Sequence, residues 1–476
     1  MLTDEYWKYL EKKQTELKEK VTEDHWRLRF HLMPETGWMN DPNGLCQFKG
    51  TYHFYHQYVP TNPYNGEAMH WGHKTSTDLV HFKEEPVFLS PINDYDKDGV
   101  YSGSAFVEGD YIHYFYTGNV KLPGTHDYIF SGREQHTVHV VSKDGYTIEK
   151  QEVVISSEAY PENMSTHVRD PKVFKRGTTY YMLLGARNVN NEGNILIYTS
   201  DDLECWTYGG VFFGEEYSLG YMWECPDYFE LGGKEVLVFS PQGIDSKGYE
   251  YNNPFQSGYI IGKVDWETLT FKEESDFVEL DRGFDFYAPQ TFEDERGRRI
   301  MFGWMGMVGS LPEYTNPTPS RGWQHAATLP RELVIEEGCL KQYPLEAYQS
   351  LRRDESEVLC EVNQLQTLYG DHYELLLMAE QEIGDLELRL KEDTKITYSH
   401  GLLTLKHGVS GCGRKERNLL IGELRDIHLF VDSSSVELFV NNGSYVMTSR
   451  MYPKPGEKKI TLIADKEVRL TKWELS

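Results

Sequence analysis

The sequence predicts an all-β protein built on a fivefold repeat, and three observations carry that expectation. Short runs rich in Tyr, Phe, Val and Ile alternate with Gly, Asp and Asn turns through most of the chain. Aromatic residues make up 14% of the 476, a share that suits pleated, half-buried surfaces. Five runs align behind a turn glycine: Gly50 to Tyr58, Gly109 to Gly118, Gly177 to Gly185, Gly233 to Ser240 and Gly297 to Trp304. These glycines are 59, 68, 56 and 64 residues apart, enough chain for a four-stranded unit each. Five such units read as a five-bladed β-propeller.

Taken in order, residues 3 to 20 read as an amphipathic helix. Thr3 can cap it, and Trp7, Leu10, Leu17 and Val21 recur at helical spacing among Glu and Lys. This gives an N-terminal helical extension over residues 1–26, with the propeller over 27–344. A second phrase recurs inside the repeat, at Ser76 to Phe82, Ser142 to Ile148, Ser200 to Trp206 and Asp265 to Phe271. The pattern stops near Pro344, and residues 345–355 read as a linker that is partly helical. Residues 356–476 form a second β domain, with strands such as Ile427 to Val431 and Val436 to Val440. Asn442-Gly443, a hairpin signal, follows the second of these. That domain is expected to pack on the first for stability.

Charge and cysteine content narrow the function. The net charge of −27 argues against nucleic acid as a partner. Six Cys at no CxxC spacing imply neither a disulfide framework nor a zinc ribbon. No apolar run reaches membrane-spanning or signal-peptide length, so a cytoplasmic protein without membrane contact is expected. No metal or cofactor motif stands out, and His53, His56, His70 and His73 are read as structural.

The repeat also locates the chemistry. Before each turn glycine lies a related phrase: Asn40-Asp41-Pro42-Asn43, Tyr101-Ser102-Gly103-Ser104, Arg169-Asp170-Pro171-Lys172, Glu224-Cys225-Pro226-Asp227 and Tyr287-Ala288-Pro289-Gln290. The innermost strand of each propeller blade lines the axis, so these phrases form a ring at one end of the channel. Three carry an acid: Asp41, Asp170 and Glu224. Asp before Pro is also a common turn former, but a register-matched set points to a functional cluster. Like charges held close raise one another's pKa values, and carboxylates in opposite protonation states are the equipment of glycoside hydrolysis.

These phrases, with Trp38-Met39 before the first, Phe54-Tyr55-His56-Gln57-Tyr58, His70-Trp71-Gly72-His73 and Trp223 before Glu224, resemble glycoside hydrolase family 32. The resemblance runs from His25-Trp26-Arg27-Leu28 into Ser433 to Gly443. It is nearest to bacterial members that act on sucrose 6-phosphate, through segments such as Gly220 to Asp227, Ser240-Pro241-Gln242-Gly243 and Gly283 to Gln290. It implies a five-bladed β-propeller followed by a C-terminal β-sandwich, and retaining cleavage of a β-fructofuranoside, a small-molecule sugar. Asp41 is then the nucleophile, Glu224 the general acid and base, and Asp170 the partner of the fructose 3- and 4-hydroxyls, kept ionised by Arg169. Asn40, Gln57, Trp71, Ser102, Arg169 and Tyr287 are implied to bind substrate, with Cys225 tuning Glu224. Hydrolysis of sucrose 6-phosphate or sucrose leads; action on short fructo-oligosaccharides, fructosyl transfer and a non-catalytic sugar-binding propeller are the alternatives.

The segment between Pro63 and Trp71 (YNGEAMH) lacks the Trp-Gly pair of many relatives, which opens the leaving-group preference. A sugar phosphate must also overcome the overall negative field, and Arg187, Arg282, Arg321 and His325 are the cations expected within reach of the rim.

Overall fold

The structure, a computed structural model, describes residues 4–307, 315–391 and 393–476, without the side chains of residues 4, 5 and 7. An α-helix spans Asp4–Glu23 and buries Leu10 and Val21. Thr3 and the Trp7 side chain lie outside the described residues. No described helix is long and apolar enough to cross a membrane.

Five antiparallel sheets follow, each opened by the strand that carries one of the acid-bearing phrases or its equivalent. Their first strands are Gly37–Phe48 (sheet I), Val100–Glu108 (II), Met164–Arg176 (III), Met222–Leu231 (IV) and Tyr287–Glu293 (V). Each first strand lies against that of the next sheet, and sheet V's returns to sheet I's, so the five form a closed ring. The short strand Trp323–Gln324, which comes after the second strand of sheet V, pairs in parallel with Gly37 and Trp38 and ties the ring shut.

The repeated glycines Gly50, Gly109, Gly177, Gly233 and Gly297 have φ between 58° and 81°, with no atom within 4 Å of where a Cβ would stand. Glycine is thus used there for the left-handed hairpin turn, not for space. The second phrase is one turn repeated. Ser76, Ser142 and Ser200 each donate a hydroxyl to the Asp two residues on, and that Asp accepts two backbone N–H groups that follow it.

All five first strands also lose register with their neighbours at the same place: between Met39 and Pro42, Tyr101 and Gly103, Arg169 and Lys172, Glu224 and Asp227, and Tyr287 and Gln290. A bulge bends a strand and re-aims its side chains. In three sheets the bulged residue is left-handed, at Asp170 (φ 62°), Cys225 (φ 50°) and Ala288 (φ 47°). The regular pleat is therefore broken within each phrase, and the fourth residue turns onto the axis.

Those fourth residues, Asn43, Ser104, Lys172, Asp227 and Gln290, are all buried and bond across the axis. Asn43 accepts from the Gly103 N–H at 2.9 Å, Ser104 donates to the Pro171 carbonyl at 2.7 Å, and Gln290 donates to the Gly103 carbonyl at 2.9 Å. Lys172 Nζ lies 3.2 Å from Asp227 and donates to the Thr291 carbonyl at 2.6 Å. This buried polar layer ties the five first strands together across the axis.

The chain then makes a 3-10 turn at Glu346–Leu351, and the next strand already begins at Arg352, inside the segment read as a linker. Two six-stranded antiparallel sheets complete the chain. They share one apolar core, with Leu375, Leu377, Leu429, Leu438 and Leu470 of one facing Leu388, Leu390, Ile396, Leu403 and Leu462 of the other.

These two sheets dock through buried charge on sheet V and on the segments that lead into sheets I and V. Arg331 reaches Asp281 (3.1 Å) and Glu437 (2.6 Å), and Arg414 holds Asp285 by two bonds of 2.7 Å. His31 bridges Asp432 and Glu437 at 2.9 Å each. Every side chain in this set is buried, so each charge depends on its partner.

Asp227→Ala strands the Lys172 ammonium in the axis. The cost is about 3–5 kcal/mol, read as a drop in Tm by calorimetry, and the double replacement Lys172→Met with Asp227→Leu recovers much of it. An unchanged Tm in Asp227→Ala contradicts the axial ion pair.

Candidate active site

The five bulges open a cavity of about 640 Å³ at one end of the ring. Asn40, Asp41, Gln57, Ser102, Arg169, Asp170, Glu224 and Tyr287 line it, so eight of the nine expected site residues meet in one place. Trp71 is the exception: it is fully buried behind the wall, bonded through its indole N–H to the Tyr101 carbonyl at 3.1 Å. It packs against Tyr55, Tyr114 and Tyr116, and the cavity wall at this point is Tyr101 and residues 65–69. Residues 65–69 of the YNGEAMH segment thus line the cavity beside Tyr101, and the only Phe, Tyr or Trp residues in the described lining are Tyr101 and Tyr287.

Asp41 sits at the floor. Ser102 Oγ donates to its Oδ2 at 2.6 Å and Asn40 Nδ2 to its Oδ1 at 3.1 Å, while Trp38 Nε1 fixes the Asn40 side chain at 2.8 Å. Burial pushes the Asp41 carboxyl up to about 6, and the charge of Glu224 adds to the rise; the bonds from Ser102 and Asn40 oppose it.

Glu224 is bound differently. Its Oε1 accepts from Arg169 Nη2 (2.5 Å) and Nε (3.1 Å), and its Oε2 accepts from Tyr287 Oη and Gln242 Nε2, both at 2.6 Å. The Tyr287 hydroxyl can rotate to accept instead, so this carboxyl has a partner in either protonation state.

Asp170 shares its cation. Arg169 bonds Glu224 and stands 4.0 Å from Asp170, so its charge favours the ionised Asp170 from a longer distance. Burial raises Asp170 to about 7, with Glu224 and Asp41 pushing the same way; Arg169 and the Cys225 N–H, bonded at 2.9 Å, pull against them. Cys225 departs from expectation: its thiol lies 3.8 Å from Asp41 and 3.7 Å from Asp170, between those two and not on Glu224 side-chain oxygens. Burial and the surrounding carboxylates push the thiol well up, so it stays protonated.

Several lining residues were not among the expected ones: Gln242, Tyr101, Asp98, Lys121, Arg133 and His167. Gln242 lies in a phrase of the resemblance, Ser240 to Gly243, which was the available signal. Lys121 and Arg133 stand on loop-flanking strand ends, where a lone sequence gives no such pointer.

The four cations expected at the rim do not line the cavity. Arg187 stacks on Tyr221, with the guanidinium 4.5 Å from the ring centre, and bonds Asn191. Arg282 faces Glu250 and Glu279, and Arg321 faces Asp24 and Trp26. His325 is buried against Trp38 and Trp304. Each has a carboxylate or aromatic partner of its own, and except for Glu279, three residues from Arg282, these partners come from distant parts of the chain.

The early histidines are packing groups. His53 and His73 bond at 3.0 Å, and burial lowers His53 to about 4, His56 to about 3 and His70 to about 4. Among the described residues no three His, Cys, Asp or Glu side chains are grouped to hold a metal.

A polar cavity lined by carboxylates in distinct hydrogen-bonding environments is the arrangement a glycoside hydrolase needs. The descriptions "Glycosyl hydrolases family 32 N-terminal domain" and "Glycosyl hydrolases family 32 C terminal" match residues 31–344 and 350–475, and the chain belongs to that family. It is 38% identical to the sucrose-6-phosphate hydrolase of Bacillus subtilis (strain 168), with 95% of each chain covered. It is 40% identical to that of Staphylococcus xylosus (96% of this chain, 94% of the relative) and 38% identical to an Escherichia coli raffinose invertase (92% of each). Among solved structures it resembles a Lactobacillus gasseri sucrose-6-phosphate hydrolase, with a TM-score of 0.88 at 30% identity over 98% of this chain and 96% of that one. It also resembles a Bombyx mori family 32 β-fructofuranosidase mutant in complex with sucrose, with a TM-score of 0.85 at 32% identity over 99% and 98%.

Ser102→Ala removes the shorter of the two bonds to the Asp41 carboxylate. With Asp41 as the expected nucleophile, which reacts in its ionised form, kcat/KM is expected to fall as pH drops through about 6. In the variant that acid limb moves upward by about one pH unit. A pH–rate profile superimposable on wild type refutes the assignment of the limb to Asp41.

Proposed function

We propose that the chain is a retaining β-fructofuranosidase that cleaves sucrose 6-phosphate, and also sucrose, releasing fructose with glucose 6-phosphate or glucose. The observation that carries the reading is the pairing, in one cavity, of Asp41 held by Ser102 and Asn40 with Glu224 held by Arg169, Tyr287 and Gln242. The similarity to sucrose-6-phosphate hydrolases over nearly the full chain supports the phosphorylated substrate.

In this mechanism an Asp41 carboxylate oxygen bonds to the fructosyl C2 as the C2–O bond breaks, and Glu224 gives its proton to the departing oxygen. Glu224 then takes a proton from water, whose oxygen attacks C2 and releases Asp41. Two displacements restore the starting configuration. Asp170 bonds the fructose hydroxyls, Gln57 and Tyr287 shape the pocket, and Arg169 serves by orienting Glu224.

The ring of sheets supports a five-bladed propeller over 27–344 preceded by the helical extension over 1–26, and the strand beginning at Arg352 supports a sandwich that starts a few residues before the expected 356. A phosphorylated sugar is charged and retained inside a cell, which favours a cytoplasmic enzyme. The raffinose invertase relative favours a second reading, action on unphosphorylated sucrose-type sugars.

Asp41→Asn and Glu224→Gln each lower kcat by about 10³-fold or more, and near-normal turnover in either removes that residue from its role. Retention is checked by adding methanol as acceptor: methyl β-fructofuranoside is expected, and the α-anomer contradicts a covalent intermediate on Asp41. Comparing kcat/KM on sucrose 6-phosphate and sucrose decides the substrate, with the phosphorylated sugar expected to be preferred.

A further inference from the structure

One wall of the cavity carries positive charge that the chemistry above does not use. Lys121 and Arg133 face each other in register at the ends of neighbouring strands of sheet II, and both line the cavity. The Arg133 guanidinium is aimed by neutral groups, its Nε donating to the Tyr128 carbonyl at 3.0 Å and its Nη1 to Asn119 Oδ1 at 2.7 Å. Lys121 Nζ lies 5.9 Å from the Tyr128 ring centre. Among the described residues neither forms an ion pair with a carboxylate, in a chain where acids outnumber bases 75 to 48.

This wall is connected to Glu224. Arg169 binds Glu224 and donates to His167 Nδ1; His167 Nε2 donates to the Tyr128 carbonyl at 2.8 Å, the same oxygen that Arg133 Nε uses. His167 is pushed down to about 3, first by burial and then by the charges of Arg169 and Arg133 among others, so it relays hydrogen bonds as a neutral ring. The cations are thus linked through hydrogen bonds to Glu224, the group proposed above to protonate the leaving oxygen. Asp98 and Glu67 are the acids of the same rim. Asp98 accepts the Lys121 backbone N–H at 2.7 Å and Glu67 accepts the Thr61 hydroxyl, which leaves the Lys121 ammonium uncommitted. A neutral glucosyl group needs no such pair, whereas a phosphate monoester, close to a dianion at neutral pH, matches an ammonium beside a guanidinium.

We infer that Lys121 and Arg133 form the seat for the 6-phosphate of the leaving glucosyl group and set the preference for the phosphorylated substrate. The inference rests on the sucrose 6-phosphate reading proposed above. A local cationic pair also answers the −27 net charge, since at short range it outweighs a screened field from distant acids.

The test compares kcat/KM on sucrose 6-phosphate and on sucrose for wild type, Lys121→Met, Arg133→Gln and the double variant, with product inhibition by glucose 6-phosphate as a second readout. Each single substitution is expected to lower the ratio of the two values about tenfold and the double variant about a hundredfold, with inhibition by glucose 6-phosphate weakened in parallel. An equal fall on both substrates means that the pair only offsets the charge of the acids, and overturns the phosphate seat. So does a wild-type preference that survives the double substitution. If wild type itself shows no preference, it is the substrate reading that fails, before any variant is compared.

Discussion

Everything at the cavity floor depends on holding three carboxylates together without letting their repulsion open the ring. Two unit charges 4 Å apart repel by about 4 kcal/mol at an effective dielectric near 20. The structure distributes that load unequally. Glu224 takes the Arg169 guanidinium, Asp41 takes two neutral donors, and Asp170 is left with a backbone N–H and a distant edge of the same guanidinium. Asp41 and Asp170, which lack a close cation of their own, are the two carboxyls that burial pushes upward.

The allocation is possible because of the backbone. A regular strand sends alternate residues to opposite faces, so Arg169 and Asp170 could not both face one cavity from an unbroken strand. The bulge at the same point of all five first strands brings adjacent residues to the same opening, and it also turns the fourth residue onto the axis. The polar layer of Asn43, Ser104, Lys172, Asp227 and Gln290 is thus the lower surface of the same irregularity that builds the site above it. The cavity lining and the buried polar layer are two faces of one device.

The two C-terminal sheets take no part in lining the cavity, yet they are not an appendage. Asp281, Asp285, Arg331 and His31 on one side and Arg414, Asp432 and Glu437 on the other exchange buried charge-assisted bonds. Neither surface could face water without repacking, which accounts for a second domain that supports the first and leaves recognition of the small sugar to the ring.

By itself the sequence determined the repeat, the turn chemistry and the identity of the acids. These are local: a left-handed glycine, a Ser-x-Asp turn or an Asp-Pro step is written within a few residues. Tertiary structure alone decided which partners those groups meet. Arg169, adjacent to Asp170 in sequence, serves Glu224 from the neighbouring sheet; Trp71, in a site phrase, is turned behind the wall; and Arg187, Arg282, Arg321 and His325 are claimed by Tyr221, Glu250, Glu279, Asp24 and Trp304. Lys121 and Arg133, twelve residues apart with a loop between them, become neighbours only when their strands pair. Electrostatics acts through distance in space, and a closed ring of sheets makes that distance unrelated to separation along the chain.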